Sequence, residues 1–287
     1  MNIKEALQIG TRHLSERRLR SPRLDAELLL STVLRRDRGF LYSYPDRMLS
    51  EEERHLFRVW LERRGEHYPL QYLLGLQEFY GRKFWAYPGV FIPRPETEVV
   101  VETALEFLGG LPDPQLIAAD IGTGSGCIGI TLACQEPRLE LVATDVSPLA
   151  LKAARQNAAM HGCIRRIRFC LGSLLMGVNS ENAYHVVLSN PPYVGTRARG
   201  AVDLSVDKYE PHEAVYAGES GHEMYLKLFA EVGICLRPGG RLILEIGDGL
   251  EELARWAEGL GWDLVEIRRD LAGLDRCAVW RVKASGK

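Results

Sequence analysis

An α/β protein is the fold this sequence predicts: a mostly parallel sheet with an antiparallel last strand, preceded by a small helical bundle. Three observations predict it. Residues 1–75 carry apolar stripes at helical spacing, short apolar runs alternate with helical patterns beyond residue 96, and a glycine cluster falls where a strand gives way to a helix. A length of 287 residues suits one large domain or two ordinary ones.

In the front part, Ile3, Ala6, Leu7 and Ile9 begin the first stripe. Leu24, Ala26, Leu28, Leu29 and Leu30 follow Ser21-Pro22, where Ser21 is expected to cap a helix and Pro22 to open it. Ser50-Glu51-Glu52-Glu53 fits a capping box ahead of Leu56, Phe57, Val59, Trp60 and Leu61. Such short helices bury their stripes only against one another, which predicts a bundle over 1–75. Between 76 and 95, Phe79-Tyr80-Gly81-Arg82-Lys83-Phe84-Trp85 and Val90-Phe91-Ile92 are β-prone runs around glycines, which predicts a hairpin linker. From 96 to 287, strands are expected at 116–121, 140–143, 167–171, 185–189, 241–246, 264–268 and 277–282. Helices are expected at 96–108, 126–133, 147–160, 220–235 and 250–260. The last two strands are joined by too few residues for a crossover helix, so they should pair antiparallel at one side of the sheet.

Composition narrows the function classes. With 46% hydrophobic and 26% charged residues the chain reads as globular, and no apolar run is long enough to span a membrane. Met1-Asn2-Ile3-Lys4-Glu5 enters an amphipathic pattern directly, so no signal peptide is expected and the cytoplasm is the expected location. Six scattered cysteines, without a Cys-x-x-Cys pair or a histidine at ligand spacing, argue for reduced thiols and against a metal site. Cys127 reads as a small packing residue at a helix start. The net charge of −2 counts against stable nucleic-acid binding. Residues 1–85 nevertheless hold 16 Lys and Arg against 12 Asp and Glu, a mildly basic front.

Asp120-Ile121-Gly122-Thr123-Gly124-Ser125-Gly126-Cys127 stands at the first strand-to-helix junction. Glycines allow positive φ and let a ligand lie against the backbone, and the helix start beyond offers free N–H groups. Asp145 ends the next strand, where a carboxylate can accept from both hydroxyls of a ribose. Nicotinamide and adenosylmethionine binders share this arrangement. The full Gly-x-Gly-x-x-Gly is absent because position 127 is Cys, and the loop after the fourth strand makes sense as a methyl-acceptor site.

That loop is Ser189-Asn190-Pro191-Pro192-Tyr193. Two prolines stiffen it and remove two backbone donors, leaving carbonyls free to accept. The Asn190 side-chain oxygen and the Pro191 carbonyl can take both hydrogens of one planar NH2 group, and Tyr193 can cover its flat face. An amide nitrogen is a poor nucleophile. Two acceptors orient it and stabilise the positive charge that grows as a methyl group arrives, without a strong base.

The chain resembles the protein-(glutamine-N5) methyltransferases of peptide-chain release factors, the HemK/PrmC family. The resemblance runs through Pro69-Leu70-Gln71-Tyr72-Leu73-Leu74-Gly75, Glu78-Phe79-Tyr80-Gly81 and Phe91-Ile92-Pro93-Arg94-Pro95-Glu96-Thr97-Glu98. It continues through the glycine loop, residues 190–193, Glu210-Pro211, Arg237-Pro238-Gly239-Gly240 and Leu244-Glu245-Ile246-Gly247. It implies a Rossmann-like class I methyltransferase sheet, S-adenosyl-L-methionine as methyl donor without a metal, and the glutamine of a release factor's Gly-Gly-Gln loop as acceptor. It implies further that Gly122, Thr123, Gly124, Ser125, Gly126, Asp145 and Asn190 contact the donor. Asn190, Pro191, Pro192 and Tyr193 would grip the glutamine, and the front domain would dock the release factor. The family usually has an acid after the third strand, beside the adenine amino group. This chain has Leu171-Gly172-Ser173-Leu174, which leaves Ser173 and Leu174 as the adenine-side candidates. Arg94 either orients the site or ties the linker to a carboxylate. The seven histidines form no dyad with a nucleophile and read as structural. Competing readings are an adenine-N6 or guanine-N2 methyltransferase, a nicotinamide-dependent oxidoreductase and a scaffold without activity.

Overall fold

The computed structural model describes residues 1–178 and 181–283, so the last four residues of the span expected to end at 287 lie outside the described residues. The chain divides into two compact units, Met1–Leu76 with Asp203–Tyr209, and Gln77–Val202 with Glu210–Lys287.

The first unit is helical: α1 (Ile3–Glu16), α2 (Pro22–Leu34), α3 (Arg38–Ser43), α4 (Glu51–Gly65) and α5 (Leu70–Leu74). Leu7, Leu14, Leu29, Leu30, Phe57 and Leu61 form its core. Two reciprocal capping boxes, Asn2 with Glu5 and Ser50 with Glu53, satisfy backbone donors at the starts of α1 and α4. Ser21 departs from expectation. Pro22 does open α2, but Ser21 makes no side-chain cap bond, since its backbone (φ −130°, ψ 60°) lies outside the extended region usual for a cap.

At the start of the second unit, β1 (Leu76–Phe79), whose first residue still counts with the first unit, and β2 (Arg82–Trp85) form a two-stranded sheet. Tyr80 and Gly81 both take positive φ (51° and 66°), as a tight two-residue hairpin turn requires. Phe79 and Phe84 are buried in the core of this unit, while Val90-Phe91-Ile92 is not a strand. Then follow α6 (Glu98–Gly109), β3 (Leu116–Ile121), α7 (Cys127–Gln135), β4 (Leu139–Asp145), α8 (Pro148–Met160), β5 (Ile167–Leu171) and β6 (Tyr184–Ser189). After β6 come α9 (Leu204–Tyr209), which belongs to the first unit, and α10 (His212–Val215). The chain closes with α11 (Glu223–Glu231), β7 (Leu236–Glu245), α12 (Leu250–Gly259), β8 (Trp262–Arg269) and β9 (Asp275–Val282).

The seven strands run in the order β5-β4-β3-β6-β7-β9-β8. The first five of these are parallel, and β9 lies antiparallel to both β7 and β8. This is the Rossmann-like sheet that the strand–helix alternation predicts. Apolar side chains of β3, β6 and β7 fill cores on both faces, hence their nearly continuous hydrophobic runs. Chain order reverses between β3 and β6, and in such sheets the crevice beyond the carboxyl ends at that point is where ligands bind.

Candidate active site

Register assembles the site. Ile121 pairs with Ser189 and with Thr144, and Asp145 pairs with Leu171. Gly122, Asp145, Gly172 and Asn190 therefore leave the sheet at one edge, although the sequence spreads them over 69 positions (122 to 190). Ser189 Oγ donates to the Ile121 carbonyl at 2.7 Å and locks the two central strand ends together. Between these loops lies a cleft of about 1020 Å³, a figure that counts space open to solvent.

The glycine loop forms one wall. At Gly122 φ is 68°, and an added Cβ would meet nothing within 4 Å, so the backbone there is bare toward open space. Gly126 has a different task. Its φ is 84°, and a Cβ would come within 2.5 Å of Ile130 Cδ1 and 3.2 Å of Ala154 Cβ. It lets α7 start close against α8.

Asp145 lines the cleft, accepting from Gly124 N on Oδ2 at 2.8 Å and from Ser147 N on Oδ1 at 2.9 Å. Burial raises its carboxyl above the ordinary value against those two hydrogen bonds. Each oxygen keeps lone-pair capacity for a further donor. Asp120, fully buried beneath the loop, accepts from Thr123 Oγ1 at 2.7 Å and Gly129 N at 3.1 Å. Burial pushes it up to about 6.

Ser189, Asn190, Pro191 and Pro192 form the opposite wall. Asn190 Nδ2 donates to Thr97 Oγ1 at 3.2 Å, and Thr97 Oγ1 donates to Glu245 Oε2 at 2.5 Å. Tyr193 Oη donates to Glu245 Oε1 at 3.3 Å. Glu245 is 2% exposed, and burial pushes its carboxyl up to about 7. It reaches this place because β7 ends in register with β6, Leu244 beside Ser189.

Of the residues singled out by sequence, Gly122, Thr123, Gly124, Ser125, Asp145, Ser173, Leu174, Asn190, Pro191 and Pro192 line the cleft. Two stand apart from that lining. Gly126 is spent on helix packing, and the Tyr193 ring lies over Gly247 with its hydroxyl turned to Glu245, so it is not positioned as a cover inside the cleft. Arg94 pairs with Glu210, whose other oxygen accepts from Ile92 N at 3.0 Å. The arginine is thus the tie to a carboxylate, and it stacks on Phe91. The cleft is also lined by residues without a site role in the sequence reading, Phe91, Thr97, Glu213 and Met224 among them. For Glu245 a signal existed, an acid inside the apolar run Leu242-Ile243-Leu244-Glu245-Ile246. Among the described residues, no group of His, Cys, Asp or Glu is arranged to hold a metal ion, all six cysteines are free, and no helix is long and apolar enough to cross a membrane.

Residues 5–75 match the PrmC N-terminal domain, and residues 82–205 match the methyltransferase small domain. The chain is 38% identical to the release factor glutamine methyltransferase of Koribacter versatilis, over 99% of this chain and 100% of that protein. It is 37% identical to the one of Coxiella burnetii, over 98% of this chain and 99% of that protein. Among solved structures, a methyltransferase from Pyrococcus furiosus superposes with a TM-score of 0.50 at 22% identity, covering 71% of this chain and 90% of that one. The hMettl16 catalytic domain in complex with the MAT2A 3'UTR hairpin 1 gives 0.54 at 17% identity, covering 82% and 81%. At such identities these two structures speak for the fold alone. The full-length relatives decide the family: the chain belongs to the release factor glutamine methyltransferases.

Proposed function

We propose that this protein transfers a methyl group from S-adenosyl-L-methionine to the side-chain amide nitrogen of the glutamine in a release factor's Gly-Gly-Gln motif. The observation that carries the proposal is the Asn190 amide, whose NH2 end is engaged by Thr97 so that Oδ1 points the other way, at the rim of a cleft lined by the glycine loop and Asp145. A hydrogen-bond acceptor aimed at an NH2 group is what a poor amide nucleophile needs.

The cleft suits the methyl donor. Bare backbone at Gly122 accepts close approach, Asp145 has lone pairs for two ribose hydroxyls, and Ile128, Ala150 and Leu174 offer apolar surface to a flat base. Thr123 and Ser125 complete the glycine wall, and Ser173 supplies an uncharged polar partner on the adenine side. When bound, the sulfonium supplies an already electrophilic methyl group. The chain's own residues bind, orient and shield. Asn190 Oδ1 and the Pro191 carbonyl accept the two amide hydrogens, which turns the nitrogen lone pair toward the donor and stabilises the developing positive charge. Pro192 keeps the loop stiff, and Tyr193 braces it through Glu245. The first unit, with its mild positive charge, docks the release factor, and the reaction belongs to the cytoplasm, without metal, membrane or stable nucleic-acid binding.

Incubation with labelled adenosylmethionine and either a release factor or nucleic acid tests this. Mass spectrometry should place one methyl mark on the Gly-Gly-Gln glutamine. Methylated nucleic acid with an unmodified release factor would refute it in favour of an adenine-N6 or guanine-N2 enzyme.

A further inference from the structure

Thr97 Oγ1 stands between two partners from distant parts of the chain, 3.2 Å from Asn190 Nδ2 and 2.5 Å from Glu245 Oε2. Thr97 and Glu245 are 1% and 2% exposed, so water does not compete for these bonds. A hydroxyl owns one proton, and an ionised carboxylate can only accept. The Thr97 proton therefore goes to Glu245, and Thr97 can offer Asn190 only a lone pair. An asparagine amide can otherwise turn end for end at little steric cost, which exchanges its acceptor for a donor. With Thr97 locked as an acceptor from below, the NH2 end must face it and the oxygen must face away.

We propose that Glu245, acting through Thr97, is a positioning residue that sets the polarity of the Asn190 amide, so that Oδ1 is presented to the methyl acceptor; this rests on the grip proposed for Asn190 above. A flipped amide would present NH2 to NH2 and repel the substrate. Tyr193 supports the same state, because its hydroxyl donates to the other oxygen of Glu245.

The lock depends on the charge of Glu245. Around it stand the Thr97 and Tyr193 hydroxyls, the Arg276 guanidinium that favours ionisation, the Glu96 carboxylate that opposes it, and the thiols of Cys127 and Cys277. Tyr225 Oη donates to the Glu245 main-chain carbonyl at 3.0 Å. Burial holds the Glu245 carboxyl near 7. A protonated Glu245 can donate to Thr97, which frees the Thr97 proton to seek Asn190 Oδ1 and undoes the polarity. Methyl transfer should accordingly rise with pH through about 7.

The test uses the full chain, release factor and adenosylmethionine, with initial rates measured across the neutral pH range for wild type, Thr97→Val, Thr97→Ser and Glu245→Gln. Valine keeps the shape of threonine without its hydroxyl, and Gln can offer NH2 to Thr97 where Glu can only accept. Both variants should lower kcat/KM for the release factor about 10²-fold, the scale of a misplaced positioning group. Calorimetric affinity for adenosylmethionine should fall far less than kcat/KM, the limb near pH 7 should vanish, and Thr97→Ser should recover most of the activity. Wild-type kcat/KM and an unaltered pH profile in Thr97→Val would overturn the inference alone, as would Thr97→Ser being as slow as Thr97→Val. If Glu245→Gln fails to fold, the Thr97 pair carries the test by itself. A wild-type protein that methylates no release factor overturns the functional proposal together with the inference.

Discussion

Asp145 Oδ2 accepts the Gly124 N–H at 2.8 Å, which ties the end of β4 to the crest of the glycine loop. One carboxylate thereby shapes the loop and lines the cleft beside it. Its second oxygen takes Ser147 N at 2.9 Å, at the cap of α8. The end of β4, the glycine loop and the start of α8 thus converge on a single side chain.

Asp145→Ala should weaken adenosylmethionine binding about 10–100-fold, the equivalent of roughly 1.5–3 kcal/mol for hydrogen bonds to a charged group. Asp145→Asn, which retains an acceptor for Gly124 N, should lose less. Isothermal titration reads both, and an unchanged affinity in the alanine variant would remove Asp145 from the ribose.

Asn190→Ala should leave adenosylmethionine affinity close to wild type while turnover on the release factor falls about 10²–10³-fold, the scale for deleting one positioned polar group. Single-turnover rates at saturating cofactor measure this directly. Turnover near wild type would dismiss the proposed grip on the acceptor NH2.

Much of this architecture is legible in the sequence because its signals are local. The apolar run of β6 leads straight into Asn190-Pro191-Pro192, and the glycine cluster follows β3 within one residue. The parts that were not legible depend on long-range partners. Thr97 bonds Glu245 from 148 positions away, and Arg94 meets Glu210 from 116. Such partners follow from strand register, which no local pattern encodes. Segment 204–215 was missed for another reason: α9 and α10 have six and four residues, too few to display a helical period. Gly126 and Tyr193 illustrate the converse. Their motif is visible, but whether a glycine serves ligand or packing depends on what a Cβ would meet, here Ile130 and Ala154.

Asp120 should make stability depend on pH in an unusual direction. Burial raises its carboxyl from 3.8 to about 6, so between these values the folded chain binds more protons than the unfolded one. The contribution of this group to stability therefore falls as pH rises through that window and stays constant above it. The effect is at most about 3 kcal/mol, from two pKa units at 1.36 kcal/mol each. Asp120→Asn should remove it, so the difference in melting temperature between variant and wild type should shift in favour of the variant between about pH 4 and 6. Subtraction cancels carboxylates that titrate the other way, such as Glu223, which backbone hydrogen bonds lower to about 2. A difference that stays flat across the window would contradict the raised pKa.

Alanine placed at two glycines of the same loop should separate folding from binding. At Gly126, with φ of 84°, an alanine is strained by its backbone and would also press on Ile130 Cδ1 at 2.5 Å and Ala154 Cβ at 3.2 Å. Backbone strain and overpacking each cost about 1–3 kcal/mol, so Gly126→Ala should lower the melting temperature by several degrees or more. At Gly122, with φ of 68°, the backbone strain is similar, but the new methyl meets nothing within 4 Å. Its stability loss should be the smaller of the two, whereas the methyl group occupies space against which adenosylmethionine lies in the proposed site. Gly122→Ala should therefore show the larger fall in cofactor affinity and Gly126→Ala the larger fall in melting temperature. Calorimetry and thermal denaturation on both variants check the crossing pattern. If both variants lost affinity equally at equal stability, the distinction between a glycine that faces ligand and a glycine that faces packing would fail.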